Sequence, residues 1–213
     1  MTEPDNADGE AHAGVASGSV TGYAPTIRLK SNLWINWAQI AIAHSREARE
    51  HRDQSKAGSL KNILPEMQAS MVAVTAVAFA IEALNDDVAP LVARNPDARS
   101  GGGRQRVYVL ATFHSATPAA RKWQHDMEWL VSLRDTAVHF HGEAHEPVWH
   151  AGLETNIAKE NVAFSVESTE NAVNFLLAIF TAIFVPDQQC DPAVAAWGSA
   201  HAHVLGELDA LRS

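Results

Sequence analysis

The run Leu133-Arg134-Asp135-Thr136-Ala137-Val138-His139-Phe140-His141 places one guanidinium and two imidazoles on a stretch that is otherwise largely apolar. Arginine is a permanent cation with a planar fork of donors, and histidine moves a proton near neutral pH. Together they suit phosphodiester cleavage: the cation holds and polarises the phosphate while the imidazole acts as general acid or base. Such chemistry calls for no metal and no cofactor. A purely structural role is the rival reading. At about 100° per residue, Trp123, Met127, Leu130, Arg134, Ala137 and His141 share one stripe of a helix. Arg134 therefore sits in an apolar face, where it must meet a carboxylate, an anion or a wet cleft. Glu82, isolated in an apolar run, is the carboxylate at hand. Asp135 and His139, four apart, share a face and can hydrogen-bond, orienting the imidazole. Arg134 and His139 point about 140° apart on an ideal helix. They converge if the long Arg side chain curls round or if a second subunit closes the site. Arg134 and His141, seven apart, share a face directly, so the spacing leaves open which His acts.

Other chemistry is weaker. His139, His141, His145 and His150 are interleaved with Glu143 and Glu146, but their spacing matches no zinc motif. A solvated helix end is the simpler reading, and no metal site is assigned. Gly101 to Gly103 lack the Lys-Ser/Thr of a phosphate loop. No Gly-x-Ser-x-Gly elbow is present. The six tryptophans are spread along the chain and read as core and interface anchors before they read as a platform for stacking bases.

The elements that must position Arg134 are helices. The first is expected over 31–55, with Ser31 or Asn32 as its cap. A second, from residue 60 or 64 to 89, is apolar nearly all round between Met71 and Ala80, so it belongs at the centre or at a subunit contact. A loop follows at Asn95-Pro96 and 100–103, then a short third helix over 104–114. The fourth spans 117–141, opened by Pro118 and ended by Gly142. Residues 143–167 are irregular, with a short strand or hairpin around Trp149 and Val162 to Val166. A fifth helix covers 168–185, and Asp191-Pro192 opens a last one to residue 211. The expectation is an all-α fold, an up-and-down four-helix bundle with added short helices and a small β-hairpin.

The 213 residues are 46% hydrophobic, enough for a sizeable core. Cys190 is the one cysteine, so no disulfide forms within the chain and a reducing, cytoplasmic setting is expected. Residues 1–24 read as a disordered acidic tail without a signal peptide, leaving 25–213 as the folded domain. Membrane association is not expected. The closest approach to a span, Met71 to Ile81, stops at Glu82. The net charge of −9 argues against a general nucleic-acid coat protein. A local basic stretch nonetheless holds Arg104, Arg106, Arg121 and Lys122, which either flank a polyanion or belong to a solvated loop.

The stretch Leu130 to His139 resembles the signature of the HEPN superfamily: Arg, four to six residues, then His, with Asn, Asp or His commonly directly after the Arg. The apolar run Ala73 to Asp86 resembles the long helix ahead of that motif. By helix order the likeness covers most of 31–185; the motif itself is short and moderately specific. The resemblance implies a helical bundle that dimerises and places two motifs around one cleft. Many members are metal-independent endoribonucleases, often bacterial toxins or defence effectors, while others are inactive interaction modules. Carried over, Arg134 would bind the scissile phosphate, and His139, or His141 at the longer spacing, would serve as acid or base in cleavage to a 2′,3′-cyclic phosphate. Asp135 takes the polar position after the Arg and adds negative charge beside the phosphate. The implied partners are an RNA substrate, a second copy of the chain, and an antitoxin or nucleotidyltransferase-like protein. The alternative is a non-catalytic binding and dimerisation module with Arg134 in an ion pair.

Overall fold

The computed structural model describes residues 32–55, 61–91, 118–139, 146–150, 153–185 and 192–212, without the side chains of 89, 118–121 and 124. The tail, the glycine loop, the expected helix over 104–114, and Arg104, Arg106, His141, His145 and Cys190 lie outside these residues.

The fold is mostly helical. In chain order come α1 (Leu33–Asp53), α2 (Ile63–Val88) with a 3-10 turn at Ala89–Leu91, α3 (Pro118–Val138), β1 (Val148–His150), β2 (Thr155–Ile157), α4 (Lys159–Ala163), α5 (Val166–Phe184), α6 (Pro192–Ala200) and α7 (His203–Arg212). The expected fourth helix is α3. Two expectations are corrected. Residues 162–166 are not a strand: Val162 and Ala163 end α4, and Ser165 caps α5 by accepting from the Ser168 N–H. The last helix is two helices, with turns at His201 and Ala202 between them. Asn32 precedes α1, but its side chain makes no capping bond.

The reason α2 lies at the centre is its composition. Its small residues, including Ala69, Ala73, Ala76 and Ala80, are buried along its length and let α1 approach closely through Ala38, Ala41 and Ala48. It also packs on α3 and α5. Among the described residues, α2 is the one helix long and apolar enough to cross a membrane, yet 56% of its most apolar stretch is buried in this fold. Two polar contacts at opposite ends make α1 and α2 antiparallel: Trp34 Nε1 donates to Asp87 at 3.1 Å, and Arg52 binds Glu66. At the first end Trp34 is enclosed by Phe180 and Phe184 of α5 and Trp197 of α6, with ring centroids 5.3–5.9 Å away.

The strands form an antiparallel hairpin with Val148, Trp149 and His150 opposite Ile157, Asn156 and Thr155. Alternation turns His150 and Ile157 inward and leaves Trp149 exposed. Glu154, just before β2, has φ of 52°, a left-handed conformation that a side chain adopts at some cost.

Gly198 fixes how α6 seats on α5. A Cβ there would lie 1.9 Å from the Ile183 carbonyl oxygen, on backbone that cannot rotate away. Gly198→Ala is therefore expected to destabilise by about 1–3 kcal/mol or more through overpacking. Gly206, in α7, has open space around its Cβ position. Gly206→Ala should stabilise by about 0.5–1 kcal/mol. Thermal melts of the two variants should move in opposite directions.

Candidate functional site

The stripe that carries Arg134 behaves as its periodicity implies. Trp123, Met127 and Leu130 are buried, while Arg134 and Ala137 lie at the partly open end of α3. Arg134 Nη1 donates to Glu82 Oε1 at 2.6 Å across the α2–α3 contact. Its Nε and Nη2 both donate to Asp135 Oδ1, at 3.0 and 2.7 Å. The Arg134 and Glu82 side chains are 20% and 22% exposed, so the pair is neither in the core nor fully wet. Burial works against the charge on Arg134, but Asp135 and Glu82 outweigh it and raise its pKa, so it stays a cation.

Asp135 thus turns to Arg134 rather than to His139. The expected Asp135–His139 side-chain bond does not form; instead the His139 backbone N–H closes the helix onto the Asp135 carbonyl at 2.9 Å. The His139 ring is exposed and makes no hydrogen bond to another described residue. Lys122 is also exposed, with its ammonium on Asp126 at 2.5 Å. The Arg121 side chain lies outside the described residues. Among the described residues, no three His, Cys, Asp or Glu side chains are grouped as metal ligands.

A second polar constellation was not singled out by sequence. Arg52, near the end of α1, reaches three other elements. Its Nε donates to Glu66 Oε2 at 2.8 Å, and its Nη2 binds the other oxygen of the same carboxylate. Its Nη1 donates to Glu167 Oε1 at 2.8 Å. Its Nη2 also lies 3.0 Å from His150 Nε2. The Leu153 N–H faces the other ring nitrogen, Nδ1, at 3.2 Å, and a neutral imidazole accepts at only one of the two. Glu66 is 2% exposed and also accepts from the Val166 N–H at 3.2 Å, at the start of α5. One turn earlier on α1, Arg49 donates to Glu170 Oε1 through Nε and Nη2 at 3.0 and 2.6 Å. The signal was present: Arg49 and Arg52 are three apart, as are Glu167 and Glu170. Two helices with this matched spacing can zip together when antiparallel.

No protein-family model, curated protein or solved structure significantly matches this chain. What the residues do must therefore be argued from the two clusters. In the Arg134 cluster all three guanidinium nitrogens donate to Glu82 or Asp135, so an incoming phosphate would have to displace these bonds. The Arg52 cluster is enclosed by its own partners and joins α1, α2, the hairpin and α5, an arrangement suited to holding structure.

Arg52→Ala is expected to cost about 3–5 kcal/mol, because it strands the buried Glu66 carboxylate. Chemical denaturation of the variant measures this. Glu167 gives the pH signature. Burial pushes its pKa up, but the Arg52 hydrogen bond, its own backbone N–H and Ser165 bring it down to about 2. A depressed carboxylate pKa stabilises the fold above the ordinary value near 4.5 and loses that contribution as pH falls from there to about 2. Glu167 is 58% exposed, so solvent screening limits the effect to about 1 kcal/mol or less. Stability against pH between those limits should be shallower for Glu167→Gln than for the parent.

Proposed function

We propose that the chain is a HEPN-like helical domain acting as a binding and dimerisation module, with Arg134 held in a structural ion pair. The observation that carries this reading is the commitment of Arg134 Nη1 to Glu82 and of Nε and Nη2 to Asp135. A phosphate would have to displace a 2.6 Å charge-assisted bond and approach two carboxylates. The up-and-down bundle is supported by the antiparallel run of α1 against α2 and by the matched pairs Arg49–Glu170 and Arg52–Glu167 between α1 and α5.

A second copy of the chain is the proposed partner, meeting the first on α2 and α3. Support comes from an apolar groove of about 270 Å³ where Trp37, Met71, Val72 and Thr75 approach Ala137 and Val138. Val72 and Val138 are 43% and 58% exposed there. Such a groove beside Arg134 would bring two copies of the motif together.

A second reading keeps the catalytic role. Arg134 retains partial exposure, and His139 is exposed five residues on at the same end of α3. In this reading a cytoplasmic dimer forms a composite metal-independent endoribonuclease, of toxin or defence type, with an antitoxin or nucleotidyltransferase-like partner.

The two readings separate in one set of measurements. In the module reading, Arg134→Ala and Glu82→Ala each destabilise, and the double variant shows a coupling of about 0.5–3 kcal/mol. RNA incubated with the protein in EDTA then stays intact. Release of 2′,3′-cyclic phosphate ends that is lost in His139→Ala would replace the module with the enzyme. Sedimentation at micromolar concentration should show a dimer that Val138→Asp disperses. A monodisperse parent monomer would remove the dimer from both readings.

A further inference from the structure

Away from Arg134, a cleft of about 460 Å³ opens between α3 and α5. That volume lies within the range of small-molecule sites. On α3, Trp123, Asp126 and Trp129 recur every third residue and face the cleft. On α5, Asn171, Asn174 and Ala178 line the other side. The two bulky indoles would close the gap against equally large residues. Opposite the small, exposed Ala178 a slot is left beside the half-buried Trp129, while Trp123 is largely buried in the core.

The polar groups are placed at the rim of that slot. Asn174 Oδ1 accepts from Arg212 at 2.6 Å, which leaves its amide N–H groups to donate elsewhere. Asn171 is exposed, and its amide bonds to no other described residue. Carboxamides present a donor and an acceptor side by side and match the edge of a planar heterocycle. Charge narrows the class further. Lys122 holds Asp126, the one carboxylate among the described lining residues, so that group is not free for an organic cation. Paired in this way, Lys122 and Asp126 are together neutral, so the mouth, which also holds the exposed His125, suits an uncharged ring better than an ion.

We propose that this cleft binds a planar heteroaromatic ring of the nucleobase type, stacked on Trp129 and read at its edge by Asn171 and Asn174. The site is independent of whether Arg134 and His139 cleave anything. The ring can belong to a free nucleotide or to a base of single-stranded RNA, since both present the same face and edge.

Two probes distinguish the sources: adenosine monophosphate and a short single-stranded oligoadenylate, titrated into the intact protein while tryptophan fluorescence is followed. Saturable quenching by both is expected. Equal affinities identify a free nucleotide as the ligand, and clearly tighter binding of the oligomer identifies a strand. Ala178→Trp fills the slot without removing a core residue, and Asn171→Ala removes an exposed amide. Each should weaken binding about fivefold or more, on the scale of one lost base stack. Undiminished affinity in Ala178→Trp, or no saturable binding of either probe up to millimolar concentration, overturns the proposal. Repeating the titration with His139→Ala separates this site from the fate of the cleavage reading, because that ring lies outside the cleft.

Discussion

A helix that is apolar nearly all round needs neighbours on most of its sides, and α2, open only along the stripe that holds Leu64 and Val72, imposes that condition on the rest of the chain. Its apolar residues take up α1, α3 and α5 as neighbours, and its alanines set how closely α1 can approach. Its acids follow the same logic. Glu66 and Glu82 sit on a helix that offers them little solvent, and each is met by an arginine from a different helix, Arg52 and Arg134. These ion pairs are consequences of burying α2. They make the arrangement specific, because a carboxylate left alone in that setting would be costly.

Much of the helical pattern was legible from the chain. Residues 33–53, 63–88, 118–138 and 166–184 fall within a few positions of the expected spans, because apolar periodicity and the flanking Pro118 and Pro186 are local signals. The departures share a cause. Nothing between Trp197 and Val204 forbids one continuous helix, yet the chain turns at His201 and Ala202, with the His201 ring stacked on Trp197 and donating to its carbonyl. Val162 to Val166 has the composition of a strand, but Ser165 finds a capping role that only the adjoining helices reveal. Strands of three residues are too short to show a period at all.

The candidate site was partly legible for the same physical reason. An arginine on an apolar stripe and a glutamate in an apolar helix each demand a partner, and they meet at 2.6 Å. Where Asp135 would turn could not be read from spacing, since Arg134 and His139 both lie within its reach. The Arg52 cluster was hidden because its helix end is charged on most sides, so no single charge stands out. Burial selects Arg52 from its neighbours, and burial is a property of the hairpin and α5 arriving from elsewhere. His150 shows this most directly: in sequence it is one of several histidines, and in the fold it is an inward-facing residue of β1 against a guanidinium.

The separations of the groups held by Arg52 also bear on the order of assembly. Glu66 is 14 residues from Arg52, whereas His150 and Glu167 are 98 and 115 away. Short loops close at less entropic cost than long ones, so the α1–α2 hairpin is the natural first unit, pinned at both ends by side chains already synthesised. Until α5 arrives, that hairpin presents the apolar flank of α2 to water, with half of the guanidinium fork unused. In a chain made from its N-terminus, the covering of that flank therefore waits on residues more than a hundred positions downstream, Glu167 among them.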